Sequence, residues 1–350
     1  MGATYNPGLQ YLPWLTPITS ELTDRLLLAD QPKTATVGPG AFVRKTIKGK
    51  LYWYIQWSAD GHQRQTYFGP DLPDEALRRQ AIRDAWRHQQ VAVQGRAELC
   101  AMLRAGQTLP PPAAPTSRLL VALDKLGLHH SGAVVIGTFA FLAYQGLLGV
   151  KWPAQLAETQ DVDLASEPAV WLITPQNVEL WPLLQQFGLQ PTAPVDQLRP
   201  TTFVSPSADM RVDIIAPLRG RTDLKPIHLP NLGVAGAPLR FIDHLIGDPI
   251  LVALPLGTGV LTLVPQPARF AVHKLLVAPY RKREDKRRKD LAQAEWLLLL
   301  LAQSQPQAIV DAVACLPLAP WRRKVGHAVE KLRPEIRDLV LPILAGSGGL

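Results

Sequence analysis

"AETQDVDLAS", residues 157–166, sets Asp161 and Asp163 one residue apart with Val162 and Leu164 between and after them. In a strand, successive side chains point to opposite faces. Asp161 and Asp163 would then share one face, and Val162 and Leu164 the other. Two like charges side by side cost energy unless a cation sits between them. Alone, the stretch is equally a solvated strand end, so the rest of the chain must decide.

Working outward, two more segments fit the same sheet. "VVIGTFAF", 134–141, has Gly137-Thr138 where a buried strand meets an apolar helix, and "RVDIIAP", 211–217, has Asp213 flanked by aliphatics in a later strand. Around them, "RLLVALDKLGL" is expected as a helix, "AVVIG" as a strand and "TFAFLAYQGLLG" as a helix. "DVDLA" and "WLIT" are expected as strands, with "PQNVELWPLLQQFGL" a helix behind them. "TTFVS" and "MRVDIIAP" read as strands paired as a hairpin through Ser205–Asp209. Short segments follow at "HLPNLGVAGAPLRF", "LVALPL" and "VLTLVP". From Pro267 the chain reads as helix to the end, with breaks at Pro306, Pro317-Pro320 and Pro334.

Upstream, residues 1–37 read as an irregular arm with one helix near "SELTDRLLLAD", Ser20 and Asp24 flanking its start and Gln31-Pro32 ending it. "GAFVRKTIKGKLYWYIQWSADGHQRQTYFGP", 40–70, alternates and is rich in aromatic and β-branched residues, with Gly49 and Asp60-Gly61 as turns. It predicts a three-stranded antiparallel meander. Asp74 to about Ala105 is helical. "GQTLPPPAAPTS", 106–117, reads as a proline-rich linker. The expected organisation is an N-terminal accessory module over 1–105, the linker over 106–117, a core over 118–266 and a helical region over 267–350. The fold class is α/β (α+β), a mixed-sheet core with an N-terminal β-meander/helix module and a helical C-terminal region.

Composition bounds the function. The chain has 350 residues and 47% hydrophobic composition, enough for a sizeable core. Its 33 prolines predict many short elements. Cys100 and Cys315 form no metal or disulfide pattern, so a reducing, cytoplasmic setting is expected. The opening "MGATYNPGLQYLPW" lacks a basic stretch followed by an apolar core, so no signal peptide is expected. "AEWLLLLLA" is too short to span a bilayer, and no membrane partner is expected. A formal net charge of +8 permits a polyanionic partner. No P-loop, dinucleotide fingerprint or nucleophile elbow is present.

The ordered set of a strand-Gly-Thr-helix turn, an Asp-x-Asp strand and a lone strand aspartate resembles nucleotidyltransferases of the DNA polymerase β superfamily over about 118–290. "GTFAFLAYQGLLGV", "TQDVDLA", "RVDII", "RFAVHKL" and "KRRKDLAQA" look closest to its bacterial stand-alone members, whose resemblance extends to the meander. The gap from Gly137 to Asp161 is longer than in minimal members, through "LLGVKWPAQLAET". The resemblance implies transfer of a nucleoside monophosphate from an NTP to an acceptor with release of pyrophosphate. Asp161, Asp163 and Asp213 would be the catalytic, metal-holding carboxylates, for Mg²⁺ or Mn²⁺, and Asp213 would help to deprotonate the acceptor hydroxyl. Gly137 and Thr138 would meet phosphate at a helix start. It implies a triphosphate contact for Lys274, in the helix that also carries Arg269 and His273 as nucleotide-binding candidates. RNA (tRNA included), a protein side chain or a small molecule are the acceptor classes, and a toxin–antitoxin or defence setting is implied for such stand-alone members. The rival is a nucleic-acid-binding or regulatory protein on the same fold without catalysis.

Other features admit two readings. "RKREDKRRK", 281–289, has seven basic residues of nine, a solvated face or a grip on acceptor phosphates. Asp290 either caps its helix or joins the site. The aromatic meander, interleaved with Arg44, Lys45, Lys48, Lys50 and Arg64, is the core of a small sheet, a base-stacking surface, or both on opposite faces. His129-His130 lack metal partners at ligand spacing. No role attaches to "GRTDLK", 220–225. The NTP used, the acceptor and the oligomeric state are not written in the sequence.

Overall fold

In a computed structural model, the structure describes residues 9–30, 40–59, 62–169, 177–192, 200–207, 209–218, 220 and 225–346. The chain divides into two compact units, 24–98 and a larger one formed by 1–23 with 99–350. Gln31-Pro32, Asp60-Gly61, "WLIT" and residues 221–224 of "GRTDLK" lie outside the described residues.

The chain opens with β1 (Gln10–Tyr11) and α1 (Leu15–Asp30). Helix α1 begins before Ser20, because Pro17 in its first turn lacks only an N–H that would have no helical partner there. In the smaller unit β2 (Ala41–Ile47), β3 (Lys50–Ala59) and β4 (His62–Pro70) form the expected antiparallel meander. Lys48 and Gly49, with φ of 50° and 76°, make its first turn. Helix α2 (Pro73–Gly106) follows. One face of the meander packs on it: Phe42 meets Trp86 at 5.3 Å and Phe68 at 5.1 Å, and Ile55 is buried.

The larger unit continues with α3 (Pro115–Lys125), β5 (Val134–Ile136), α4 (Gly137–Leu148), β6 (Val150–Lys151), α5 (Ala154–Ala157) and β7 (Asp161–Ala165). Then come α6 (Leu180–Gln186), β8 (Gln190–Pro191), β9 (Thr202–Ser205), β10 (Met210–Pro217), β11 (Ile227–Leu229) and β12 (Val234–Leu239). The chain ends through α7 (Ile242–Ile246), β13 (Ile250–Leu254), β14 (Val260–Val264), α8 (Pro267–Val277), α9 (Glu284–Ser304), α10 (Pro306–Ala314), α11 (Ala319–Val329) and α12 (Pro334–Gly346). Proline stands in the first turn of α8, α10 and α11 and opens α12, so the expected breaks are helix starts. Helix α6 begins later than expected, because the Val178 and Leu180 amides donate to the Asn231 and Leu232 carbonyls instead of extending the helix backwards.

The central sheet is mixed, in the order β11-β12-β10-β7-β5-β14-β13. One edge of β10 holds β7 in parallel. The other is shared: residues 210–213 pair with β9 as the expected hairpin, and 215–217 pair in parallel with β12. Strand β12 at that position was not legible beforehand. No single helix among the described residues is long and apolar enough to cross a membrane. The apolar run of α9 is instead buried, from Leu297 to Leu301.

Two segments read as peripheral belong to the larger unit. Strand β1 pairs with β6, and Leu15 and Leu22 are fully buried. The proline-rich stretch 106–117 is pinned at Thr108 by the buried Gln145 amide of α4. Gln145 accepts from the Thr108 amide at 2.9 Å and donates to the Thr108 carbonyl at 3.0 Å. The same oxygen accepts the Trp152 amide at 3.1 Å. A buried amide is stable only with such partners.

Candidate active site

Strand register builds the site. Asp163 lies opposite Asp213, and Asp161 opposite Arg211, on the parallel pair β7 and β10. Paired residues of neighbouring strands share a face, so Asp161, Asp163, Arg211 and Asp213 project together. Val162, Leu164, Val212 and Ile214, all fully buried, hold the opposite face. Strand β5 sets Ile136 opposite Asp163, and the chain turns there into α4. Gly137 makes that turn with φ of 66°, and a Cβ on it would lie 2.1 Å from Asp163 Oδ2. Only glycine lets the carboxylate and the helix start come this close. No side chain caps α4, so its first amides keep their donors for another acceptor.

These groups line a cleft of about 1090 Å³, with Thr138 beside Gly137. Burial, and then the Asp213 charge, push the Asp163 carboxyl up to about 6; Asp161 adds to this, while Lys274 and Lys286 pull it down. Asp213 is held in place. Thr202 Oγ1 donates to its Oδ1 at 2.6 Å, and Arg211 donates from Nε to Oδ2 at 2.8 Å and from Nη2 to Oδ1 at 3.0 Å. That hydrogen bond raises the Arg211 guanidinium above its ordinary value. Lys286 Nζ stands 3.8 Å from Asp161 Oδ2.

Helices α8 and α9 make a second, basic wall. Buried Lys274 donates to buried Asp290, which also accepts from Arg281 Nε at 2.6 Å. Burial alone would raise the Asp290 carboxyl; Lys274 and Arg281 more than offset it and hold it below the usual carboxylate value. Burial, with Lys274 nearby, lowers the Lys289 ammonium. His273 also lines the cleft, but its ring is pushed down to about 3 by burial and by Lys274, so it is neutral near pH 7. Its Nδ1 lies 3.3 Å from the Phe241 carbonyl oxygen.

The structure thus brings Asp161, Asp163, Asp213, Gly137, Thr138, His273 and Lys274 to one cleft. Arg269 is not among its lining residues: its guanidinium donates to the His244 carbonyl at 3.0 Å and to Cys315 Sγ at 3.4 Å. His129 and His130 are also outside the lining. Their ring centroids are 4.0 Å apart, and His129 Nδ1 is 3.9 Å from Asp124 Oδ1. Arg211 and Thr202 went unread in the sequence. The signal for Arg211 was present, since it alternates with Asp213 as Asp161 does with Asp163. Thr202 needed the hairpin register, which sets it opposite Asp213.

A family model described as nucleotidyltransferase matches residues 114–316, from the start of α3 to just past the end of α10. No curated protein and no solved structure matches the chain.

Proposed function

Because the chain belongs to the nucleotidyltransferase family, we propose that it transfers a nucleoside monophosphate from an NTP to an acceptor at Asp161, Asp163 and Asp213, releasing pyrophosphate. One observation carries this reading: parallel register delivers three carboxylates to one face of the sheet, beside an uncapped helix start, on the floor of a cleft with a basic wall. The donor set suits a hard divalent cation. Its donors are all carboxylate oxygens, and after burial the neighbouring Asp213 and Asp161 charges add to the rise of the Asp163 carboxyl. Mg²⁺ or Mn²⁺ held by the three aspartates would supply neutralisation of the phosphoryl oxygens.

The chain's own groups do the rest. The first amides of α4 and the Thr138 hydroxyl bind phosphate oxygens. Lys274, Arg281, Lys286 and Lys289 face the triphosphate charge. The acceptor oxygen bonds to the α-phosphorus, the bond from that phosphorus to the bridging oxygen breaks, and pyrophosphate leaves. Asp213, oriented by Thr202 and Arg211, would take the acceptor's proton. The basic run 281–289 favours an anionic acceptor, RNA ahead of a protein or small molecule. The resemblance to stand-alone members of the DNA polymerase β superfamily supports a bacterial, cytoplasmic toxin–antitoxin or defence setting.

The Arg211 ion pair favours a second reading, in which the cleft binds nucleotide without transferring it, since the guanidinium occupies the carboxylate that catalysis needs. Incubating the protein with Mg²⁺ or Mn²⁺, each labelled NTP, and total RNA and protein extract separates the two. Transfer by the parent and not by Asp161→Ala/Asp163→Ala supports catalysis, and the labelled band names the acceptor. Metal-dependent NTP binding without transfer to any acceptor supports the second reading, and absence of NTP binding refutes both.

A further inference from the structure

The meander lies outside the matched family region, and its two faces differ. The face toward α2 carries Phe42, Trp53, Ile55 and Phe68 and supplies the small unit's core. Trp53 is closed over by Arg79 at 4.1 Å from its ring and donates to Asp71 at 2.7 Å. The alternate residues of the strands include three tyrosines, Tyr52, Tyr54 and Tyr67. Tyr67 meets Tyr54 at 5.7 Å and Tyr52 at 6.1 Å between ring centroids. Tyr67 is 54% exposed. The Lys45 ammonium sits 4.9 Å over the Tyr54 ring and donates to Gln65, whose amide donates in turn to Gln56 at 2.8 Å. Residues 40–70 carry Arg44, Lys45, Lys48, Lys50 and Arg64 against one acidic residue, Asp60; Arg44 belongs to the other face, 5.8 Å from the Trp53 ring and 3.7 Å from Asp71.

We propose that the Tyr52–Tyr54–Tyr67 face of the meander binds single-stranded nucleic acid, its phenol rings stacking bases and Lys45, Lys48 and Lys50 meeting phosphates. Charge and surface chemistry both select this occupant. Lys45, Lys48 and Lys50 give this side of the sheet a net positive charge that attracts a polyanion, and the exposed Tyr67 ring beside half-buried Tyr52 and Tyr54, interleaved with Lys45 and the Gln56 and Gln65 amides, suits bases on a flexible backbone. A closed duplex would keep its base faces stacked away from the tyrosines. An apolar protein partner would gain nothing from the lysines. The surface requires neither NTP nor metal, so it stands or falls apart from the transfer reaction.

The test is fluorescence anisotropy on the full chain with labelled oligo(U), oligo(dT) and a DNA duplex, without NTP or divalent metal and over a range of salt. Polyglutamate serves as a competitor. The expected order is single strands tighter than duplex, with polyglutamate a poor competitor; comparison of oligo(U) with oligo(dT) tells RNA from DNA. Tyr67→Ala should weaken binding about tenfold with little change in salt dependence. Lys45→Gln/Lys48→Gln/Lys50→Gln should lower the slope of log affinity against log salt by about two. Parent-like binding by these variants, when their circular dichroism is unchanged, overturns the proposal. So does a parent that binds no single strand, or one from which polyglutamate displaces oligo(U) with equal ease. Should a variant fail to fold, 4-thiouridine crosslinking to the unaltered chain decides: adducts in 50–59 or 62–70 support the proposal, and adducts confined elsewhere refute it.

Discussion

Replacing Asp290 with Asn separates what the basic wall does for the fold from what it does for nucleotide. Asp290 is 5% exposed and Lys274 7%, so each charge depends on the other for its solvation. Removing one partner of a buried pair strands the other, at a cost of about 3–5 kcal/mol. Asp290→Asn and Lys274→Met should each lose stability on that scale. Arg281 softens the second loss, since its Nε still meets Asp290 at 2.6 Å. Exchanging both for apolar residues, Lys274→Met with Asp290→Leu, removes the stranded charge and should return stability to within about 1 kcal/mol of the parent. Urea unfolding of the parent, the double variant and its two component singles, Lys274→Met and Asp290→Leu, followed by tryptophan fluorescence, closes the cycle and measures the coupling, expected at about 2 kcal/mol or more. Isothermal titration with NTP then reads function. The double variant should bind about tenfold more weakly or worse, as one charge-assisted hydrogen bond to phosphate is lost. Additive single losses would refute the buried pair. A double variant with parental NTP affinity would show that Lys274 serves the fold alone.

The remaining predictions concern the cleft floor and the buried histidines. Gly137→Ala puts a Cβ where Asp163 Oδ2 lies, at a left-handed φ of 66°, so it should cost about 1–2 kcal/mol in unfolding and lower transfer about a hundredfold. Parental turnover would refute the close approach. Arg211→Ala frees Asp213 of an internal cation, and Mn²⁺ binding to the NTP-free chain, followed by electron paramagnetic resonance, should tighten about tenfold; unchanged affinity would refute competition. His273 and His244 are pushed down to about 3 and about 4, both chiefly by burial. The unfolded chain then binds more protons, so stability is full above pH 6.5 and falls on acidification. At pH 5 each histidine costs about 2 kcal/mol, and the raised Asp163 acts in the opposite sense by about 1 kcal/mol. Urea midpoints at pH 7 and pH 5 should show the net loss, and His244→Leu should remove its share.

What could be read from the sequence was whatever local periodicity controls. Alternation alone put Asp161 with Asp163 on one face and separated them from Val162 and Leu164, and the strand-Gly-Thr-helix turn was visible because Gly137 interrupts an apolar run. Pairing between distant segments was not local. That Arg211 neutralises Asp213 follows from its own strand, but that it stands beside Asp161 follows from which strand β10 chose as neighbour. Helix α8 shows the limit from the other side. Arg269 and His273 are four apart and share a helical face, yet Ala268 and residues 270–276 are all buried. A helix enclosed on nearly every side offers periodicity no polar face to select, so tertiary contacts sent Arg269 to His244 and Cys315 and Lys274 to Asp290. The proline-rich stretch misled for a related reason. Proline reports that regular structure stops, but nothing about what the chain then touches. At Thr108 it touches Gln145, a buried amide within a largely apolar helix, and with the Thr108 hydroxyl on the Trp152 carbonyl and Arg104 on the Pro110 carbonyl it holds a supposed linker as a wall of the cleft. Polar residues placed against the local pattern, Gln145 and Asp290 among them, are therefore where this sequence encodes its long-range contacts. Each can be buried only because a partner from elsewhere in the chain satisfies it.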